Sequence, residues 1–177
     1  NYAMKAAELS DGYFDPTVGP LVSAWGFHYK EGIQMTAEIV DSLKQLVGYR
    51  KVKLENDKII KENPNMTLDF NAVAQGYTTD MIADFLVSKG IENFLVDVGG
   101  EILAKGTKPK GEPWKVGIEK PAHDKDSDRI VQEIVEIKDK SIVTSGNYRT
   151  YVEKNGKRYS HSINPMTGFP AENNMLS

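Results

Sequence analysis

The sequence predicts an α+β fold, and three observations carry that expectation. Two segments alternate around short Asn-centred turns, at Asn56-Asp57 and at Asn155-Gly156, the pattern of antiparallel hairpins. One long helical run, Val73 to Lys89, stands among strand-like segments. The mix of hairpins with a few helices differs from the regular strand–helix alternation of a doubly wound parallel sheet.

The elements follow in order. Residues 1–10 read as a helix that ends at Ser10-Asp11-Gly12. In FDPTVGPLVSAWGF, Pro16 and Pro20 limit regular structure before a short apolar turn. Residues 28–35 read as a surface loop in which His28 is solvated. Thr36 is placed to cap a helix running to Val47, with Ile39, Leu43 and Leu46 on one face and Gly48 after it. KVKLENDKIIKE is the first hairpin, and MTLDF (66–70) reads as a short strand. The helix from Val73 presents Met81, Ile82, Phe85 and Leu86 as its buried face and stops at Gly90. FLVDVGGEILAKG reads as a strand, a glycine kink and a second strand. WKVGIEKP and RIVQEIVEIKD are further strands, joined by a polar loop from Ala122 to Asp128 that holds a solvated His123.

Length and composition bound the function. A chain of 177 residues can bury a real core. Its net charge of -3 gives no basic footprint for nucleic acid. The absence of cysteine removes thiolate chemistry and Cys-ligated zinc, and leaves the compartment open. No apolar run approaches the roughly 20 residues of a membrane-spanning helix. Asn1 opens without an initiator Met, and Leu176-Ser177 stop where another strand is expected. The expectation is one domain over 1–177, a fragment of a longer protein lacking N-terminal and C-terminal parts.

Four stretches could carry chemistry. In SDGYFDPT (10–17), two carboxylates flank a glycine and an aromatic pair. Such a turn presents backbone groups to a polar ligand while Tyr13 or Phe14 stacks on a ring; an Asx turn with capping aspartates is the plainer alternative. In LDFNAVAQGY (68–77), Asp69 precedes a helix start whose free N–H groups favour anions, or it merely caps that helix. VDVGGE (96–101) reads as a bulge or a close backbone approach; it lacks the dinucleotide-binding fingerprint. Last, His161 lies between Ser160 and Ser162, on the returning strand of the second hairpin, after Thr144-Ser145-Gly146 and before Asn164-Pro165. A rigid histidine near hydroxyls and exposed turn amides suits a phosphate; a hydrogen-bonded structural histidine is the alternative.

Taken in order, SDGYFDPTVGPLVSAWGF, LDFNAVAQGYTTD, FLVDVGGEI and TSGNYRTYVEKNGKRYSHSINPMTGFP resemble the ApbE family of FAD:protein FMN transferases. The resemblance covers nearly the whole chain. It implies a T-fold-like α+β arrangement of antiparallel sheets with packed helices. It also implies magnesium-dependent transfer of FMN from FAD to a threonine hydroxyl of a target protein, with AMP leaving. An FAD pyrophosphatase giving FMN and AMP, or a non-catalytic FAD-binding protein, are the alternatives. The acceptor implied is a respiratory or electron-transfer flavoprotein. The setting implied is extracytoplasmic, with a lipid anchor to the bacterial cell membrane outside this chain.

At matching positions, the resemblance gives FAD contacts to Tyr13, Phe14, Asp15, Asp69, Gln75 and Leu176, and a metal-binding carbonyl to Ala72. His161 matches the family histidine that acts as general base or on the phosphate side. Gln75 stands where many relatives carry lysine or glutamate, and Asn164 replaces the usual aspartate. The remaining magnesium ligands, an aspartate and a threonine or serine, are expected beyond Ser177. A methionine contact to FAD is expected before Asn1.

Overall fold

A computed structural model describes residues 2–27, 32–121, 128, 130–146, 151–154 and 157–171. The expectations placed on His28, on His123 and most of its loop, on the Asn155-Gly156 tip and on Leu176 lie outside the described residues. The chain divides into two compact units. One runs to Phe70 and takes up the described residues from Tyr151 onward; the other runs from Asn71 to Gly146.

In the first unit, α1 (Tyr2–Leu9) ends in a left-handed pair, Asp11 at φ 50° and Gly12 at φ 82°. The Gly12 N–H donates to the Ala7 carbonyl at 2.8 Å. Gly12 also permits a close approach: a Cβ there would stand 2.8 Å from Met166 Cε. The expected irregular stretch after Pro16 instead contains α2 (Gly19–Trp25). Pro20 falls in its first turn, where the missing N–H has no helical partner to lose and the fixed φ suits the helix. Thr36 caps α3 (Ala37–Lys44), its hydroxyl accepting from the Ile39 N–H at 3.4 Å. A hydrogen bond with the Thr36 side chain is the first cause holding the Glu38 carboxyl below its usual range. The helix stops short of Val47, and Val40 is its fully buried residue. Val40, Leu21 and Val47 form the core, with Met35, Leu43 and Ile163 packed on it.

The Asn56-Asp57 hairpin is β1 (Val52–Glu55) paired with β2 (Lys58–Lys61), both turn residues at positive φ as a two-residue turn of type I′ requires. Residues 66–70 form no strand. Met66 is buried, and the Asp69 N–H donates to the Pro16 carbonyl at 2.6 Å, which ties the segment to a loop and not to a sheet. Strands β8 (Tyr151–Lys154) and β9 (Lys157–Ser160) pair around the second hairpin tip.

The second unit is layered. Strands β3 (Phe94–Val98), β4 (Glu101–Lys105) and β7 (Lys140–Val143) form an antiparallel sheet in the order β3-β4-β7. Strand β7 was not foreseen from the sequence: KSIV is too short to show a period. Helix α4 (Asn71–Ser88) covers one face, where Ala83, Phe94 and Val96 are buried with Leu86, Val98 and Leu103. The other face packs against β5 (Trp114–Glu119) and β6 (Val131–Ile137) through Ala104, Val116 and Ile137. Strand periodicity explains the division, because Phe94, Val96 and Val98 share one side and Leu95 the other. Met81, Ile82 and Phe85 are not on the buried face of α4; Thr79 and Ala83 are.

Within the described residues the helices and antiparallel sheets meet the α+β expectation. Leu21→Ala should lower stability by about 2–5 kcal/mol in chemical denaturation, because it empties a fully buried site. Tyr2→Ala, at an exposed position, should change it by about 0.5 kcal/mol or less.

Candidate functional site

In the first unit the polar residues of the 10–17 loop are held by a buried carboxylate. Asp15 is 5% exposed. Its Oδ1 accepts from the Thr17 N–H at 2.8 Å and from the Thr17 hydroxyl at 2.6 Å. Its Oδ2 accepts from the Tyr49 N–H at 2.8 Å. The Thr17 Oγ1, itself fully buried, accepts from the Gly48 N–H at 2.7 Å. Asp-x-Thr is a local turn signature, so the Thr17 half of this cluster follows from neighbouring residues. The Gly48–Tyr49 half comes from far along the chain.

Asp15 therefore spends both oxygens on protein donors. Charge-assisted bonds of this kind contribute about 1.5–3 kcal/mol each when buried. They fix the loop that presents Tyr13, whose ring is 67% exposed, and half-buried Phe14, whose N–H donates to Ser10 Oγ at 3.0 Å. Asp69 joins the same unit through its bond to Pro16, with its Cβ 3.5 Å from where a Cβ on Gly19 would stand.

The segment carrying His161 closes on α2. Strand β9 ends at Ser160, so His161 lies in the bend beyond it and not on the strand. Trp25 fixes both sides of this bend. Its ring lies 5.7 Å from the rings of Tyr159 and of Phe169, and its indole N–H donates to the Gly168 carbonyl at 2.9 Å. Ile163 bridges to Pro170 and packs on the α2–α3 core. His161 is half-buried between these anchors.

The Asn164-Pro165 turn does not offer free amides. Asn164 Oδ1 accepts from Met166 N–H at 2.9 Å and Thr167 N–H at 3.3 Å, and the Asn164 carbonyl accepts from Gly168 N–H at 2.8 Å. Asn164 thus builds its own turn, a task an aspartate would also perform.

The second unit gathers a different set. Ala72 and Gln75 are exposed in the first two turns of α4. Gly99 and Gly100 are neither a kink nor a bulge but the two-residue turn between β3 and β4, at φ 61° and 96°. Asp97 Oδ1 accepts from the Gly100 N–H at 2.9 Å. A Cβ on Gly99 would collide with Gln75 Nε2, and one on Gly100 would lie 3.8 Å from Thr144 Oγ1. Three of the sequence blocks therefore converge at one end of α4. Thr79, buried beneath them, donates its hydroxyl toward the carbonyls of Gln75 (3.0 Å) and Glu101 (3.1 Å), joining helix to sheet.

The expected site residues divide between the units: Tyr13, Phe14, Asp15, Asp69 and His161 in the first, Ala72 and Gln75 in the second. Thr17, Tyr49, Trp25 and Thr79 were missed because their partners are distant or in backbone. Among the described residues no group of three or more His, Asp or Glu side chains could hold a metal. One carbonyl, at Ala72, is far from the six oxygens magnesium takes, so the described residues do not by themselves fit that ion.

An α+β chain with polar turns gathered in this way is a protein of the flavin-transferase fold class: it superimposes on a flavinyl transferase ApbE of Pseudomonas stutzeri, solved in the apo form, with a TM-score of 0.82. That match has 35% identity and covers 97% of this chain and 52% of the other. The ApbE protein of Thermotoga maritima gives a TM-score of 0.84 at 30% identity, covering 96% of this chain and 55% of its own. The chain belongs to the ApbE family, whose profile matches residues 1–177. The FAD:protein FMN transferase of Vibrio cholerae is 41% identical over 177 residues, covering 99% of this chain and 52% of its own. That of Escherichia coli K12 is 37% identical over 181 residues, covering 99% and 51%. The chain thus spans about half the length of the curated relatives it matches.

Two outcomes test this geometry. Asp15→Asn places an amide N–H against a backbone N–H and should destabilise by about 1–3 kcal/mol in denaturant titration. Gly99→Ala should lower the melting temperature, because φ 61° is a conformation that L side chains rarely adopt, and adding Gln75→Ala should leave most of that loss in place, since the flexible Gln75 amide can swing aside. Full recovery in the double variant would contradict the backbone origin of the loss.

Proposed function

We propose that the chain is the greater part of the catalytic core of an FAD:protein FMN transferase. The observation that supports this most is 41% identity to the Vibrio cholerae enzyme of that name across 99% of the chain. The convergence of three of the sequence blocks at one end of α4 is consistent with this reading. In the proposed reaction a threonine Oγ of an acceptor protein attacks the FMN phosphorus of FAD. The P–O bond to the AMP phosphate breaks, AMP leaves with the bridging oxygen, and FMN remains as a phosphoester.

His161 is the residue we assign to the hydroxyl proton. The support is its place in the bend between two segments anchored on Trp25, which restrains the backbone that carries the imidazole, as general-base catalysis demands. Tyr13 is the exposed ring available for stacking, and Asp69 and Gln75 are hydrogen-bonding groups for the nucleotide. Asp15 acts through the loop it holds. A magnesium ion would neutralise charge on the diphosphate, and the Ala72 carbonyl is the ligand this reading would give it within residues 1–177. An electron-transfer flavoprotein is the acceptor we favour, and an extracytoplasmic, lipid-anchored setting accompanies it in the reading.

The full-length protein, incubated with FAD, magnesium and a threonine-containing acceptor, should yield an acceptor heavier by one FMN in intact mass. His161→Ala should slow transfer by about 10²–10⁴-fold with FAD affinity retained. FMN and AMP appearing at equal rates without acceptor would make the protein a pyrophosphatase instead. Unchanged transfer in the variant would remove His161 from the chemistry.

A further inference from the structure

The tip of the His161 segment closes on the loop that carries Tyr13. Beyond His161 the backbone doubles back: the Asn164 N–H donates to the Phe169 carbonyl at 2.9 Å, the Ala171 N–H donates to the Ser162 carbonyl at 2.8 Å, and Ile163 bridges to Pro170. Trp25 and the α2–α3 core hold the body of this small hairpin, and Met166 stands at its tip. The Met166 methyl lies against Gly12, where a Cβ would meet it at 2.8 Å. The edge of the Tyr49 ring shares that face, with Cε1 3.4 Å from the same point. Gly12, at φ 82°, immediately precedes Tyr13, and the Tyr49 N–H is the donor to Asp15 Oδ2. The thioether thus meets the loop at its entry, beside the residue that steadies its buried carboxylate.

We propose that Met166 is a positioning residue for FAD: its thioether pins the entry of the Tyr13 loop against the His161 hairpin, so that the exposed Tyr13 ring is ordered before the nucleotide arrives. The inference deepens the proposed function and rests on its assignment of FAD to this loop. The two segments lie far apart in sequence and are anchored separately, the loop by Asp15 and Ser10 Oγ, the hairpin by Trp25. The Gly12 and Tyr13 N–H groups bond back to the Ala7 and Ser10 carbonyls, at the loop's own end of the chain; Met166 is a contact that arrives from the His161 side. A thioether suits a bare glycine and a ring edge, being unbranched and polarizable. At 49% exposure, Met166 is too little buried to be a mainstay of the core. A loop left free at its entry must be ordered by the ligand itself, and apparent affinity falls with the fraction of molecules in which the loop is already in place. Once FAD is bound the loop is ordered in either case, so the cost falls on binding and not on turnover.

The test is a titration of the full-length protein and its variants with FAD, followed by flavin fluorescence, beside steady-state FMN transfer and a thermal melt. Met166→Ala should raise the Kd for FAD about 3- to 10-fold and KM for FAD by a like factor, with kcat within about twofold of the wild type. Its melting temperature should stay within about 2 °C of the wild type. Met166→Leu, which keeps an apolar side chain of similar volume, should bring Kd back to within about twofold of the wild type. Leu54→Ala truncates a residue of like exposure, 53%, on β1 and should leave Kd unchanged. An unchanged Kd in Met166→Ala, a rise shared by Leu54→Ala, no rescue by leucine, or a loss of kcat at unchanged Kd would each overturn the inference. Absence of FMN transfer by the wild-type protein would instead sink the proposed function, and the FAD titration does not depend on turnover, so the two failures are distinguishable.

Discussion

The buried carboxylate of Asp15 is the constraint on which the first unit's polar face depends. A charge taken out of water is tolerable only when protein donors replace the lost hydration. Here the donors are two backbone N–H groups and a hydroxyl. The requirement works both ways. The carboxylate keeps Thr17 and Tyr49 in place, and those donors keep the carboxylate from seeking solvent. Thr17 extends the arrangement to Gly48, so a four-residue cluster joins the loop after α1 to the turn after α3.

Segments without a sheet ladder inherit their position from this cluster and from Trp25. Residues 66–70 have no strand partner, yet Asp69 is tied to Pro16, whose neighbour is Asp15. The stretch from His161 to Pro170 is pinned by an indole N–H and two ring contacts. In the second unit the same economy appears at the head of α4, where Thr79 ties the helix to β4 and the Gly99-Gly100 turn lies against Gln75. Groups held through side-chain-to-backbone bonds need no reorganisation when a ligand arrives, which is the condition for binding energy to act on chemistry.

Much of this was legible in the sequence, and the failures have physical causes. The hairpins were readable because Asn56-Asp57 and Asn155-Gly156 are local signals that fix register on their own. The Thr36 cap is likewise local. Pro20 misled because proline breaks a helix interior but suits a first turn, and only the start of the helix distinguishes the two. The buried face of α4 was misread because both sides of that helix are apolar; hydrophobicity alone does not say which side meets the sheet. Residues 66–70 look like a strand by composition, but strand formation needs a partner edge, and their nearest backbone is a loop. For the site, the sequence offered residue types at family positions. It did not show that both oxygens of Asp15 are engaged by protein donors, because Tyr49 is distant in sequence, or that the Asn164 turn consumes its own amides.

The most direct test of the account is native-state amide hydrogen exchange in the wild-type protein, read residue by residue. If the carboxylate cluster fixes the loop, the amides of Thr17, Gly48 and Tyr49 should exchange as slowly as that of Leu21 in the buried core, although Thr17 lies in no helix or strand. Exchange of these three amides as fast as that of Asn65, whose partner Asn63 Oδ1 is at an exposed turn, would contradict it.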